Sequence, residues 1–214
     1  MNSLTANIGW AIDSRDDILF PKKGELRRAN AEVSAPGLDI QMYKITLQET
    51  WYKDLSKDLT IMLNGQLGYA DSYGGKEFPF FKNFYLGGVN TVRGYRQGSI
   101  GPVCVQGDAS CGLSTSTTNM FVGGNKQVLA NAELFMPVPF LKNNNQFRLS
   151  AFIDAGNVYG HDESINLSTI RYSAGMGVLW VSPFGPLKLV YAMPFNNQST
   201  DRTESFQFQM GQQF

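Results

Sequence analysis

Phe206-Gln207-Phe208-Gln209-Met210-Gly211-Gln212-Gln213-Phe214 is the stretch whose reading decides the fold. Phe206, Phe208, Met210 and Phe214 share one face of an extended segment, while Ser205, Gln207, Gln209, Gly211 and Gln213 share the other. Successive side chains of a strand point to opposite sides, so this spacing predicts a β-strand with one apolar and one polar face. The same rhythm recurs toward the N-terminus. Leu187, Leu189, Tyr191, Met193 and Phe195 alternate with Lys188, Val190, Ala192 and Pro194; Tyr172, Ala174, Met176, Val178 and Trp180 alternate with Ser173, Gly175, Gly177 and Leu179. Phe147, Leu149, Ala151 and Ile153 oppose Arg148, Ser150, Phe152 and Asp154, and Val128, Ala130, Ala132, Leu134 and Met136 oppose Asn131 and Glu133. Further segments begin near Leu59, Tyr43 and Leu4, and the weakest pattern spans 24–35, giving nine expected strands.

Two architectures compete for such a chain, a soluble β-sandwich and a membrane barrel. The patterned segments run to about 9–11 residues, longer than the usual soluble strand and long enough for a tilted membrane crossing. Their connections alternate in length. Short turns are expected at Phe20–Gly24, Lys53–Lys57, Pro139–Asn145 and Ser182–Pro186, and longer loops at about 71–125, 157–169 and 196–202. Short turns at one rim and long loops at the other are the arrangement of outer-membrane barrels. Trp51, Tyr52, Trp180 and Phe214 fall at strand ends beside the short-turn rim, where an aromatic girdle belongs. The pattern predicts an all-β, antiparallel transmembrane β-barrel with about eight to nine strands and one long extracellular loop.

Composition agrees with this. Lysine plus arginine and aspartate plus glutamate number 18 each, so the formal net charge is zero and no electrostatic argument for nucleic acid arises. No run of 18 apolar residues exists, which excludes a membrane-crossing helix but not a barrel that distributes its apolar residues by alternation. Met1-Asn2-Ser3 leads directly into a patterned segment with no signal peptide, the start expected of a processed or truncated exported protein. Cys104 and Cys111 lie seven apart in a Gly/Ser/Thr-rich stretch, and a local disulfide in an oxidising compartment is preferred to free thiols.

A connection as long as 71–125 inside a compact domain usually has a function. Within it runs Gly87-Gly88-Val89-Asn90-Thr91-Val92-Arg93-Gly94-Tyr95. The tetrad Val92-Arg93-Gly94-Tyr95 resembles the hallmark motif of the BamA superfamily, the insertases of outer-membrane protein assembly, where it lies on the sixth extracellular loop and folds back into the barrel. Gly74-Gly75-Lys76-Glu77, Asn83-Phe84-Tyr85, Ile100-Gly101-Pro102, Ser182–Leu187 and Phe206-Gln207-Phe208 are similar to members of that superfamily as well.

The resemblance implies a roughly sixteen-stranded barrel preceded by periplasmic POTRA domains. Residues 1–214 would then be the C-terminal portion of the barrel domain, without POTRA domains and without the first strand, which in the family pairs imperfectly with the last to form a lateral gate. It further implies Phe206, Phe208, Met210, Gly211 and Phe214 as the gate strand, with Gly211 at a position that weakens pairing. The alternating aromatics ending at Phe214 are also similar to the C-terminal signal read on assembly substrates, although any barrel needs such an amphipathic strand. Implied partners are outer-membrane lipid, unfolded β-barrel substrates and, through the missing N-terminal domains, assembly lipoproteins; the truncated barrel could also self-associate, or close as eight strands.

The motif has a chemical reading too. An arginine on a loop returning into a barrel loses water and needs carboxylate partners. The inward face offers Glu133 and Asp154 on successive strands, the two places where the family's arginine finds its acids. Gly94 permits a tight turn beside Arg93, and Tyr95 is a rigid amphipathic anchor. No enzyme, metal or cofactor is expected: His161, the single histidine, sits in the polar loop Gly160-His161-Asp162-Glu163 without convergent partners. The alternatives to an insertase are a translocation pore of the TamA or two-partner secretion type and a passive porin.

Overall fold

In the computed structural model, which describes residues 2–104, 120–138, 146–183 and 185–211, the chain is a single large antiparallel sheet with a long loop laid across one face. The strands are β1 (Thr5–Asp13), β2 (Gly24–Ser34), β3 (Met42–Asp54), β4 (Thr60–Ser72), β5 (Val103–Cys104), β6 (Met120–Phe121), β7 (Lys126–Met136), β8 (Phe147–Tyr159), β9 (Arg171–Ser182), β10 (Gly185–Phe195) and β11 (Phe206–Met210). Nine of them form the main sheet in the order β1-β2-β3-β4-β7-β8-β9-β10-β11, each paired with its sequence neighbour apart from the jump over the loop. The sheet is open, with β1 and β11 as its two edges. Neither closure into an eight-stranded barrel nor pairing of β1 with β11 occurs.

The distribution of exposed and buried residues is inverted relative to a water-soluble protein. Ile153 and Met176 are 61% and 67% exposed, and Ile8, Leu47, Leu67, Tyr191, Phe206 and Phe208 lie on the same outer surface. On the opposite face Glu133 is 4% exposed and Asp154 0%, among buried Asn131, Ser150, Ser173 and Gln207. An apolar exterior over a polar interior is stable only when the exterior faces hydrocarbon. Among the described residues no helix is long and apolar enough to cross a membrane.

Alternation explains one departure from expectation. Trp51 and Tyr52 are consecutive and cannot both face lipid: Trp51 is outward, while Tyr52 turns inward to line a cavity with Glu133 and Arg148. Trp180 stacks on Phe147 with ring centroids 5.4 Å apart, and Phe214 lies outside the described residues. The connection between β1 and β2 is also longer than the turn Phe20–Gly24, because β1 ends at Asp13. Its length is taken up by two carboxylates that organise backbone: Asp16 accepts from the N–H groups of Lys22 and Lys23, and Asp17 from those of Leu19 and Phe20. Glu49, outward on β3, is paired with Arg27 of β2 at 3.1 Å, so this lipid-side charge has a cross-strand partner.

Between β4 and β7 the chain does not remain structureless. Phe80–Lys82 form a 3-10 turn, β5 pairs with β6, and single bridges join Phe84 to Gly124 and Leu86 to Ile100. Phe84, Leu86, Val92, Tyr95 and Ile100 of this loop pack with Ala70, Leu129 and Val158 of the sheet in one buried cluster. The loop therefore carries its own apolar core onto the concave face. The fit depends on small residues there: a Cβ on Gly156 of β8 would come within 2.8 Å of Val92 Cγ2.

Candidate functional site

The site begins with register. β7 and β8 pair so that Asn131 faces Asp154 and Glu133 faces Phe152. The inward side chains Glu133, Phe152 and Asp154 therefore form a triangle, with the aromatic ring between the two acids. Arg93 descends from the loop onto this triangle and is 2% exposed. Its Nε and Nη2 donate to Asp154 Oδ2 and Oδ1 at 2.7 and 2.6 Å, and its Nη1 donates to Glu133 Oε2 at 2.8 Å. The guanidinium carbon lies 3.4 Å from the centre of the Phe152 ring, a stacked cation–π contact. The Arg93 backbone N–H also donates to Asp154 Oδ2, at 3.0 Å.

Burial alone would pull the Arg93 pKa down, but its hydrogen bonds to Asp154 and the charges of Glu133 and Asp154 outweigh it, so the guanidinium is held more firmly protonated than in water. A fork-shaped guanidinium bound bidentately by one carboxylate and singly by another has a fixed orientation that a lysine could not reproduce. Asn131 completes the cluster: its Nδ2 lies 2.8 Å from Asp154 Oδ1 and 2.7 Å from the Thr91 carbonyl, binding the loop backbone to the sheet. Asn64 Nδ2 donates in turn to Asn131 Oδ1 at 2.8 Å, and Thr50 donates to Asn64, so the polar network extends across β3 and β4.

The rest of the tetrad is anchored toward the C-terminal strands. Gly94 has φ +85°, which a side chain rarely adopts, and a Cβ there would stand 3.1 Å from Ala192 Cβ of β10. The Tyr95 hydroxyl lies 2.7 Å from both the Phe195 carbonyl oxygen and Asn197 Oδ1, and burial pushes its pKa up. Val92 is fully buried in the loop's apolar cluster. On β11, Phe206, Phe208 and Met210 face outward and Gly211, with φ +84°, follows the strand. Cys104 is buried, whereas Cys111 lies outside the described residues.

Residues 2–214 match the Omp85 superfamily domain. The chain belongs to the Omp85 superfamily. It is 38% identical to outer membrane protein assembly factor BamA of Neisseria meningitidis serogroup B over 97% of this chain and 28% of that protein. It is 31% identical to the sorting and assembly machinery component 50 homolog of Xenopus tropicalis, over 95% of this chain and 44% of that protein. The crystal structure of BamA from Haemophilus ducreyi lacking POTRA domains 1-3 superposes with a TM-score of 0.85 at 30% identity, covering 95% of this chain and 41% of that one. This Omp85 chain thus spans less than half the length of each of these relatives, and its strands are those of an integral outer-membrane β-barrel.

Four residues of this Omp85 site escape a reading by motif. Phe152, Asn131, Gln207 and Lys188 all fall on inward positions; Lys188 of β10 lines the same cavity as Arg93 and Glu133. Period-two alternation placed all four inward, and an aromatic residue on an otherwise polar face, as Phe152 is, was a further signal.

Proposed function

We propose that this chain is the C-terminal part of an outer-membrane assembly barrel, one that inserts and folds other β-barrel proteins. Both named groups of relatives are assembly components, which supports the reading. The observation that carries it is the buried ion-pair cluster of Arg93, Glu133 and Asp154, which fixes a loop whose next residues bond to the final strand β11.

In this reading the terminal segment, β11 with Phe206, Phe208 and Met210 followed by Gly211, is the edge at which an incoming strand forms main-chain hydrogen bonds; Phe214, assigned to the same segment from the sequence, lies outside the described residues. Among the described residues the β11 ladder with β10 runs over Leu187–Tyr191 and is flanked by hydrogen bonds from the Gly211 N–H to the Pro186 carbonyl and from the Ala192 N–H to the Ser205 carbonyl. The substrates are unfolded β-barrel proteins, outer-membrane lipid surrounds the apolar face, and assembly lipoproteins act through regions outside these residues. The test is reconstitution of the protein in liposomes, measuring the folding rate of a second outer-membrane barrel added in urea. Acceleration that is lost in Arg93→Ala supports an assembly role. Steady ion conductance without any acceleration would make it a pore.

A further inference from the structure

We infer that Gln207 is a positioning residue that locks the terminal strand to the motif loop, so that β11 is held at Gln207 and free to separate only beyond it. This deepens the assembly reading by naming what regulates the strand edge.

Gln207 is the inward residue of β11 and is 6% exposed. Its side-chain amide grips the backbone around one peptide of the motif. Oε1 accepts from the Gly94 N–H at 3.2 Å, and Nε2 donates to the Tyr95 carbonyl at 2.7 Å. One planar amide thus reads a donor and an acceptor of the loop, both in buried contacts. The chain entering β11 is joined to Gly94, Tyr95 and the next residue, Arg96. Glu204 N–H donates to the Gly94 carbonyl and Arg96 N–H to the Arg202 carbonyl, both at 2.8 Å, and Tyr95 bridges Thr203. Residues 94–96 therefore act as a short antiparallel partner for 202–204, in line with the final strand.

Arg93 and Gly94 are adjacent, yet they look in opposite directions across the sheet. Arg93 is fixed to β7 and β8 through Glu133 and Asp154, whereas Gly94 is fixed to β11 through Gln207. The tetrad is a strap between the interior of the sheet and its edge. Beyond Gln207 the two separate: Gln209, Met210 and Gly211 line an open cleft opposite Gly88, Asn90 and Gln97. The edge strand is thus secured to the loop at its upstream end, and among the described residues its downstream end is hydrogen-bonded to β10.

The experiment is hydrogen exchange, read by mass spectrometry, on the protein in lipid nanodiscs. In the wild type the amides after Gln207 should exchange faster than those of 206–207. Gln207→Ala should speed exchange roughly tenfold both at 206–208 and at 94–96, the scale of two lost buried hydrogen bonds, and leave β8 and β9 unchanged. Arg93→Ala should speed exchange at 206–208 as well, and the double variant should show less than the product of the two effects, because both cut one strap. Gln207→Glu, which keeps the acceptor for Gly94 and loses the donor to Tyr95, should fall between, and it serves if Gln207→Ala does not fold. Unchanged exchange at 94–96 in both Gln207 variants, or strictly multiplicative effects with Arg93→Ala, would overturn the coupling. Neither result depends on assembly activity, so failure of the strap and failure of the assembly reading are distinguishable.

Discussion

Arg93 and Asp154 meet through three hydrogen bonds, two from the guanidinium and one from the Arg93 backbone N–H, so a single carboxylate fixes both a side chain and the path of the loop. Loop and sheet are separated by 61 residues in sequence. The pair is consequently sensitive at either end.

Removing Arg93 leaves two buried acids without their counter-charge. Loss of one partner of a buried pair costs about 3–5 kcal/mol, reduced where water can enter the polar interior. Arg93→Ala should lower the unfolding temperature and expose the loop to protease far more than Arg96→Ala, since Arg96 is exposed. Thermal unfolding and limited proteolysis of both variants make the comparison. Equal losses would mean that Arg93 behaves as a surface charge.

The two acids should not be equivalent. Asp154 accepts from Arg93 three times and lies 2.8 Å from the Asn131 amide, whereas Glu133 receives one Arg93 hydrogen bond. Asp154→Asn is expected to destabilise by about 1–2 kcal/mol more than Glu133→Gln, on the scale of one or two charged hydrogen bonds. Denaturant midpoints of the two variants measured side by side decide it, and the reverse order would contradict the geometry.

Gly94→Ala adds a methyl group at φ +85° and 3.1 Å from Ala192 Cβ. Gly75, at φ +71°, has nothing within 4 Å of its ideal Cβ and serves as the control for backbone strain alone. Gly75→Ala should cost about 1 kcal/mol. Gly94→Ala should cost roughly twice as much, because the neighbour must also move. Similar melting temperatures for the two would show that Ala192 yields freely.

Cys104 and Cys111 are expected to form a disulfide, which closes a small ring and should order the loop without deciding the fold. Labelling of the unreduced, denatured protein with a thiol-reactive maleimide should add no mass. Addition of two labels per chain would rule the bond out.

How much of this was legible beforehand depends on the length scale of the interaction. The inward placement of Glu133, Asp154 and Gln207 follows from period two, since each differs from its outward neighbours by a single step along the strand. Tyr52 shows the same rule applied against an expectation, because beside Trp51 it had to face inward. The β1–β2 connection was harder to read, since Asp16 and Asp17 organise it through backbone N–H groups that carry no residue-specific signature.

The sequence by itself determined the strands, their order and which surface meets lipid. Those properties arise from neighbouring residues and from chain connectivity, which a linear pattern records. Only the tertiary structure decided that Arg93 rests on Phe152 between Glu133 and Asp154, and that Gln207 holds the peptide beside Gly94. Each of these depends on the register between strands or on how far the sheet curves. Such quantities are set by many pairings acting together, and no single stretch of sequence contains them.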